Sequence, residues 1–160
     1  MAIEMGTVYA VAGAGIALGV AGISTALGVK AAGIAAAGAV AENKENFKSG
    51  LVLEALPQTQ TIYAFIIALL IMMGAGLLGT EKTLTTYQGL AMLGAGLLVA
   101  ITGMSAIIQG MISGAGVVAC AKNPEAFGPS IVFSGQAETP AIFGFIAALI
   151  MLVVGMGVLG

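Results

Sequence analysis

Four long apolar runs, at about 7–29, 51–79, 89–121 and 129–160, constrain this chain more than any other feature. Only the short polar stretches "AENKENFKSG", "TEKTLTTYQ" and "AKNPEAFG" separate them. A bilayer hydrocarbon core is about 30 Å thick and is spanned by roughly 20 apolar residues in a helix, so each run is long enough to cross. Lipid offers backbone amides no partners, which leaves helices as the spanning form for such runs. Short links make consecutive helices antiparallel neighbours. The fold class read from this is all-α transmembrane. Composition agrees: 59% of the residues are hydrophobic and 8% charged, against about a quarter charged in soluble domains.

The same composition excludes several functions. A net charge of −2 gives no basic face for nucleic acid. One cysteine, Cys120, cannot form an internal disulfide, and without His or Asp there is no cysteine-rich zinc site. The opening "MAIEMGTVYA" lacks the basic segment of a signal peptide, so the first run reads as a retained helix. Lys44, Lys48 and Lys122 lie in loops one and three with Lys30 nearby, against Lys82 in loop two. The positive-inside bias then expects loops one and three in the cytoplasm and both termini outside a multi-pass cell-membrane protein.

The chain is also written twice, with a period of about eighty residues. "GAGIALGVAGIS" aligns with "GAGLLVAITGMS", and "LVLEALPQTQTIYAFIIALLIM" with "IVFSGQAETPAIFGFIAALIML". Matches of mixed residue type, Phe47/Phe127, Thr59/Thr139 and Tyr63/Phe143, argue against chance similarity between greasy helices. The expected organisation is a first hairpin, 1–80, with helices at about 7–41 and 51–79, and a second, 81–160, with helices at about 86–121 and 128–160. The first helix is expected to run past Lys30 through "AAGIAAAGAVA" as a protruding end. Small residues at Gly15, Gly19, Gly22 and Ala26, and at Gly103, Gly110 and Gly114, allow close helix approach. Two hairpins, each with a slim first helix and a bulkier second, suggest wedges that assemble side by side into a closed ring.

One carboxylate, Glu138, interrupts the fourth run. It lies about nine residues, or roughly 13 Å, along the helix from Pro129. A charge at that depth costs about 2.5–3.5 kcal/mol on insertion scales. It has to be protonated, paired or hydrated, and no Lys or Arg lies at its depth in the sequence. Its repeat equivalent is the amide Gln58, so the acid occurs once per four helices.

Leu56, Thr59, Gln60 and Tyr63 share one face of the second helix at i, i+3, i+4 and i+7. Thr59 and Gln60 bring oxygens, Tyr63 can donate to a carboxylate, and Pro57 disturbs its helix so that carbonyls become available. Gln109 is the lone amide in the apolar middle of the third helix. Hydrogen bonding between helices also accounts for Thr59–Gln60, or for Gln109, taken singly. Together with Glu138 at matching depth, a hydroxyl, two amides and a carbonyl suit a hard monovalent cation, and Na+ more than Mg2+ or Ca2+, which take more carboxylates. A proton needs only the carboxyl. Glu54, opposite Ser134 in the repeat, reads as an acid near the interface or as a step in ion uptake, with Lys30 able to snorkel near the same face. Glu4, Glu42, Glu45, Glu81 and Glu125 read as solvated charges.

The doubled hairpin with "LPQTQTIY", "IIQG" and "ETPAIFGF" resembles the membrane rotor proteolipids (the K or c subunits) of prokaryotic V-type or A-type rotary ATPases, over nearly the whole chain. The resemblance implies a ring of identical subunits surrounded by lipid. The ring turns against a stator membrane subunit with a basic residue and carries a central-stalk subunit on its cytoplasmic loops. It implies Na+ ligands at Glu138, Gln109, Thr59, Gln60 and the backbone carbonyl of Leu56. Tyr63 then hydrogen-bonds the carboxylate, and Thr139 is an additional candidate beside the acid. The subunit itself would make and break no covalent bond: an ion neutralises Glu138, rides through lipid, and leaves when the stator's basic residue competes for the carboxylate. A proton ring is the alternative within this scheme. A small proton-coupled exporter would want an aromatic-lined cavity, which 6% aromatics and no Trp do not favour, and a structural tetraspan would give no reason for oxygens to gather at one depth.

Overall fold

A computed structural model of the chain describes residues 4–79 and 82–156. Helix α1 runs unbroken from Met5 to Glu42. At 1.5 Å per residue it is about 57 Å long, nearly twice a hydrocarbon core. The Ala-rich segment after Lys30 continues it, as expected from the high helix propensity of alanine. Four helical segments are long and apolar enough to cross a membrane: Met5–Glu42, Lys44–Gly74, Thr86–Lys122 and Pro124–Gly155. Glu81 and the final residues of the fourth run, 157–160, lie outside the described residues.

The second to fourth spans differ from the single helices expected, because local chemistry interrupts each. The second begins at a 3-10 turn, Lys44–Asn46, capped by Asn43, whose side chain accepts the Glu45 amide at 3.0 Å. It continues as α2 (Phe47–Ala55), tightens to a 3-10 turn over Leu56–Gln58, and resumes as α3 (Thr59–Gly74). Pro57 lacks the N–H that would bond back one turn, and its ring crowds that turn. Helix α3 stops at Gly74 rather than near 79. Gly76 has φ 73° there, and the Gly76 and Leu77 amides bond back to Met73 and Met72 in a glycine-type C-terminal cap.

The third span divides at Met104 into α4 (Thr86–Gly103) and α5 (Ser105–Lys122). Thr102 bonds back to the Leu98 carbonyl at 2.9 Å beside Gly103, a combination that bends helices. The fourth divides at Ala137–Glu138 into α6 (Phe127–Gln136) and α7 (Thr139–Gly155), where Pro140 again withholds a backbone donor. Asn123 caps the third loop as Asn43 caps the first, accepting the Glu125 amide at 3.0 Å.

The centre of the bundle is the parallel pair of first and third spans, with α1 lying along α4 and α5. A methyl group added to Gly89, Gly96 or Gly110 would overlap the backbone of Gly6, Gly13 or Gly28 respectively, so three glycine pairs set this approach. The expected stripe behaves differently on its two helices. Gly103, Gly110 and Gly114 do pack, against Ala21, Gly28 and Ala31. Gly15, Gly19 and Gly22 have nothing within 4 Å of where a side chain would begin, and Ala26 is exposed. Their face of α1 points out of the subunit. Helix α3 covers α1 and α4, while α7 packs on α4 and touches α3.

Candidate ion-binding site

The proline-tightened turn of the second span and the broken fourth span meet at one level. Glu138 sits at the α6–α7 junction as the residue preceding α7, its carbonyl accepting the Ala141 and Ile142 amides at 2.9 and 3.2 Å. The side chain is half-buried. Tyr63 of α3 donates its hydroxyl proton to Glu138 Oε1 at 2.5 Å. Phe145 stacks on the Tyr63 ring with centroids 5.2 Å apart, which limits where the phenol can swing.

Behind this pair, oxygens line up along α3 and α5. The Thr59 hydroxyl lies 3.2 Å from the Leu56 carbonyl and 3.2 Å from Gln60 Oε1. Gln60 Nε2 donates to Gln109 Oε1 at 2.6 Å. Both glutamines are wholly buried. Leu56, Thr59, Gln60 and Gln109 are thus joined by direct contacts, and Tyr63, one turn beyond Thr59 on the same face, ties Glu138 to them.

This amide pairing leaves one group unmet. Gln109 Nε2 is buried with no hydrogen-bond partner, a state that costs about 1–3 kcal/mol. Such a cost is a reason to ask what else the amides serve. Turned toward a common cation, both carboxamide oxygens would act as ligands alongside the Thr59 hydroxyl, the Leu56 carbonyl and the Glu138 carboxylate. That donor set, five oxygens and one negative charge, fits a monovalent alkali ion.

Thr139 is not drawn in. It is exposed and makes no side-chain hydrogen bond among the described residues, because the turn at Ala137–Glu138 rotates it away from α3. Gln58, the repeat partner of Glu138, is also exposed. Glu54 is half-buried, its carboxylate lying against Gly33 of α1, and Lys30 is exposed. Several hydroxyls near the site do not stand out in the sequence. Ser105 lies 3.5 Å from Gln60 Nε2, and Ser113 and Ser134 pair at 2.7 Å, with Ser134 3.5 Å from the Gln109 carbonyl. Their one signal is spacing: Ser105 and Ser113 stand four residues either side of Gln109, and Ser134 four before Glu138.

The sequence profile of the ATP synthase C subunit matches residues 12–71 and again 93–151. The chain belongs to that family. The two matches fall on the two hairpins of the repeat. Relatives include "A-type ATP synthase subunit K" of Methanocaldococcus jannaschii, 40% identical over 141 residues, 88% of this chain and 60% of that protein. The chain thus spans about three fifths of that relative's length. "V-type sodium ATPase subunit K" of Enterococcus hirae is 38% identical over 148 residues, 92% of each chain. The V-type proton ATPase 16 kDa proteolipid of Homo sapiens, a c subunit by name, is 29% identical over 149 residues, covering 92% of this chain and 93% of that one. As a member of this family, the chain is a membrane component of a larger ATPase and not its catalytic part.

Proposed function

We propose that this chain is the rotor proteolipid of a V/A-type rotary ATPase and that Glu138 carries Na+ across the membrane. The observation that carries the reading is that Tyr63, which holds the lone carboxylate, shares one face of α3 with the mutually bonded oxygens of Leu56, Thr59, Gln60 and Gln109. A proton would use the carboxylate and leave the other oxygens to hydrogen-bond one another, with Gln109 Nε2 unmet, whereas Na+ uses them all. One cation on one carboxylate is neutral, the condition for passing through lipid at low cost. A basic group on a stator subunit would then displace the ion by competing for Glu138. Similarity to a protein named as a sodium ATPase subunit supports the choice of ion. The Tyr63–Glu138 bond by itself also suits a protonatable site, so H+ is the second reading and the cheapest competitor.

The ring is supported by the two faces of the repeated inner helix. Val11, Gly15, Leu18, Gly19 and Gly22 on α1 correspond to Met92, Gly96, Val99, Ala100 and Gly103 on α4. The α4 set is buried inside the subunit, with Met92 0% and Val99 1% exposed, while Val11 and Leu18 are 50% and 37% exposed. A groove of about 440 Å3 lies along that open face between α1 and α3. Conversely, Gly13, Ala17 and Ala21 are buried on α1, but their α4 equivalents Gly94, Leu98 and Thr102 are only half-buried. Each subunit therefore presents an open face on α1 and a partly covered one on α4, where Met151 and Gly144 of α7 reach Gly94 and Thr102, and a head-to-tail pairing of the two would repeat the internal pair. A head-to-tail contact of this kind gives a ring when its rotation closes, the form proposed here. Loops one and three, with the lysine excess, are assigned to the cytoplasmic side and the central stalk.

The test is modification of Glu138 by a hydrophobic carbodiimide in the detergent-solubilised protein. Millimolar Na+ at neutral pH should slow labelling strongly, and K+ should not. Equal labelling with and without Na+ would leave the proton reading in its place.

A further inference from the structure

The turn that presents the Leu56 carbonyl is tied to a different helix. The Thr25 hydroxyl of α1 donates to the Pro57 carbonyl at 3.0 Å, and Thr61 donates to Thr25 Oγ1 at 2.8 Å, with the Ala21 carbonyl at 3.3 Å as its other acceptor. Each hydroxyl has one proton: with Thr25 giving its proton to Pro57, Thr61 gives to Thr25, its nearer acceptor, or to Ala21. Pro57 is wholly buried, and its carbonyl is one residue from that of Leu56 and two from the Thr59 hydroxyl. The missing Pro57 N–H leaves the Leu53 carbonyl without its helical donor. The turn is closed instead by a 3-10 bond from the Thr59 amide to the Leu56 carbonyl, a poorer geometry that makes it a soft place in the helix.

We propose that Thr25, backed by Thr61, is a positioning residue for the ion cage, a strap from α1 that fixes the Leu56–Gln58 turn so that its main-chain oxygen and Thr59 stay aimed at the cation. The repeat supplies an internal comparison. The equivalents of Thr25 and Thr61 in the second hairpin are Ala106 and Ala141, which cannot form such a strap. There the break at Ala137–Glu138 delivers a side-chain carboxylate, and no main-chain oxygen needs holding. The strap occurs only in the hairpin whose backbone joins the donor set. The inference rests on the Na+ reading above, and goes beyond it by naming residues that never touch the ion.

The test compares Thr25→Val, which keeps shape and loses the hydroxyl, with Thr25→Ser, which keeps the hydroxyl, in the full chain purified from membranes. The readouts are the Na+ concentration giving half-maximal protection of Glu138 from carbodiimide, the labelling rate without Na+, and assembly by native mass. Thr25→Val should raise the half-protective concentration about tenfold, the scale of one lost hydrogen bond. Thr25→Ser should stay within about twofold, and Thr61→Val should fall between them. Assembly and the Na+-free labelling rate should not change. Normal Na+ protection in an assembled Thr25→Val protein overturns the proposal. So does loss of assembly in both valine variants, which would make the hydroxyls structural. If the unsubstituted protein shows no Na+ protection, the sodium reading itself falls, an outcome distinct from either.

Discussion

The Tyr63 phenol and the Glu138 carboxylate, 75 residues apart in sequence, meet at 2.5 Å across the α3–α7 contact. This single bond links the two hairpins at the acid and holds one carboxylate oxygen in place. Tyr63→Phe keeps the ring stacked on Phe145 and deletes the donor. Loss of one bond to a charged group should raise the half-protective Na+ concentration at least about tenfold and quicken carbodiimide labelling, with assembly intact. Unchanged labelling kinetics would remove the latch from the account.

Gln109 joins the third span to Gln60 and is its proposed contribution to the donor set, and its amide nitrogen has no partner. Gln109→Leu removes a ligand and that unmet group together. Na+ protection should fall by more than about tenfold, and stability should fall by no more than about 1–3 kcal/mol, because the buried Gln60 Nε2 loses its acceptor while the unmet Gln109 nitrogen disappears. A large loss of stability with Na+ protection retained would assign Gln109 to packing alone.

On the proposed reading a proton and a sodium ion neutralise the same carboxylate, which makes their binding competitive and reciprocal. Lowering the pH should raise the Na+ concentration needed for protection, and adding Na+ should shift the carbodiimide pH profile toward lower pH. The measurement is a two-dimensional titration of labelling against pH and Na+. Profiles independent of each other would mean that the ions do not share Glu138.

The open face of α1 and the half-buried face of α4 predict specific neighbours. Within the subunit, a Cβ built on Gly103 lies 3.4 Å from Ala21 Cβ, near the separation of about 3.5–4.5 Å that a disulfide needs. The equivalent pair between subunits is Gly22 of one copy and Thr102 of the next. With the buried free Cys120 changed to Ser, Gly22→Cys/Thr102→Cys should give an oxidised ladder of multimers on a denaturing gel, and Gly22→Cys/Leu98→Cys, one turn out of register, should give much less. A single dimer band would point to a two-fold contact instead of a head-to-tail one.

Much of the site is legible in the sequence because its parts are chemical exceptions in an apolar chain. Glu138, Gln109, Thr59 and Gln60 stand out against their surroundings, and the spacing from Leu56 to Tyr63 puts four of the participants on one face. Pro57 and Pro140 mark disturbed backbone, though not that the fourth span divides and turns Thr139 outward. The threonine strap and the serines are harder to see, since single hydroxyls are common in membrane helices and have meaning only through the partner they meet. The outward face of Gly15, Gly19 and Gly22 is hidden for a related reason: a small-residue stripe says that something packs closely, not whether it is the same subunit or the next.

The sequence by itself determined the number of candidate spans, the duplication and the presence of a single acid in the middle of the fourth run. These properties add up residue by residue along the chain, through transfer cost and helical rise. Only the tertiary structure decided which side of each helix is covered, where the helices break, and which oxygen receives which proton. Helices apolar on every side carry no amphipathic signal to orient them. Their rotation is set by the fit of glycine gaps against backbone, and by the few buried hydrogen bonds that the fit allows.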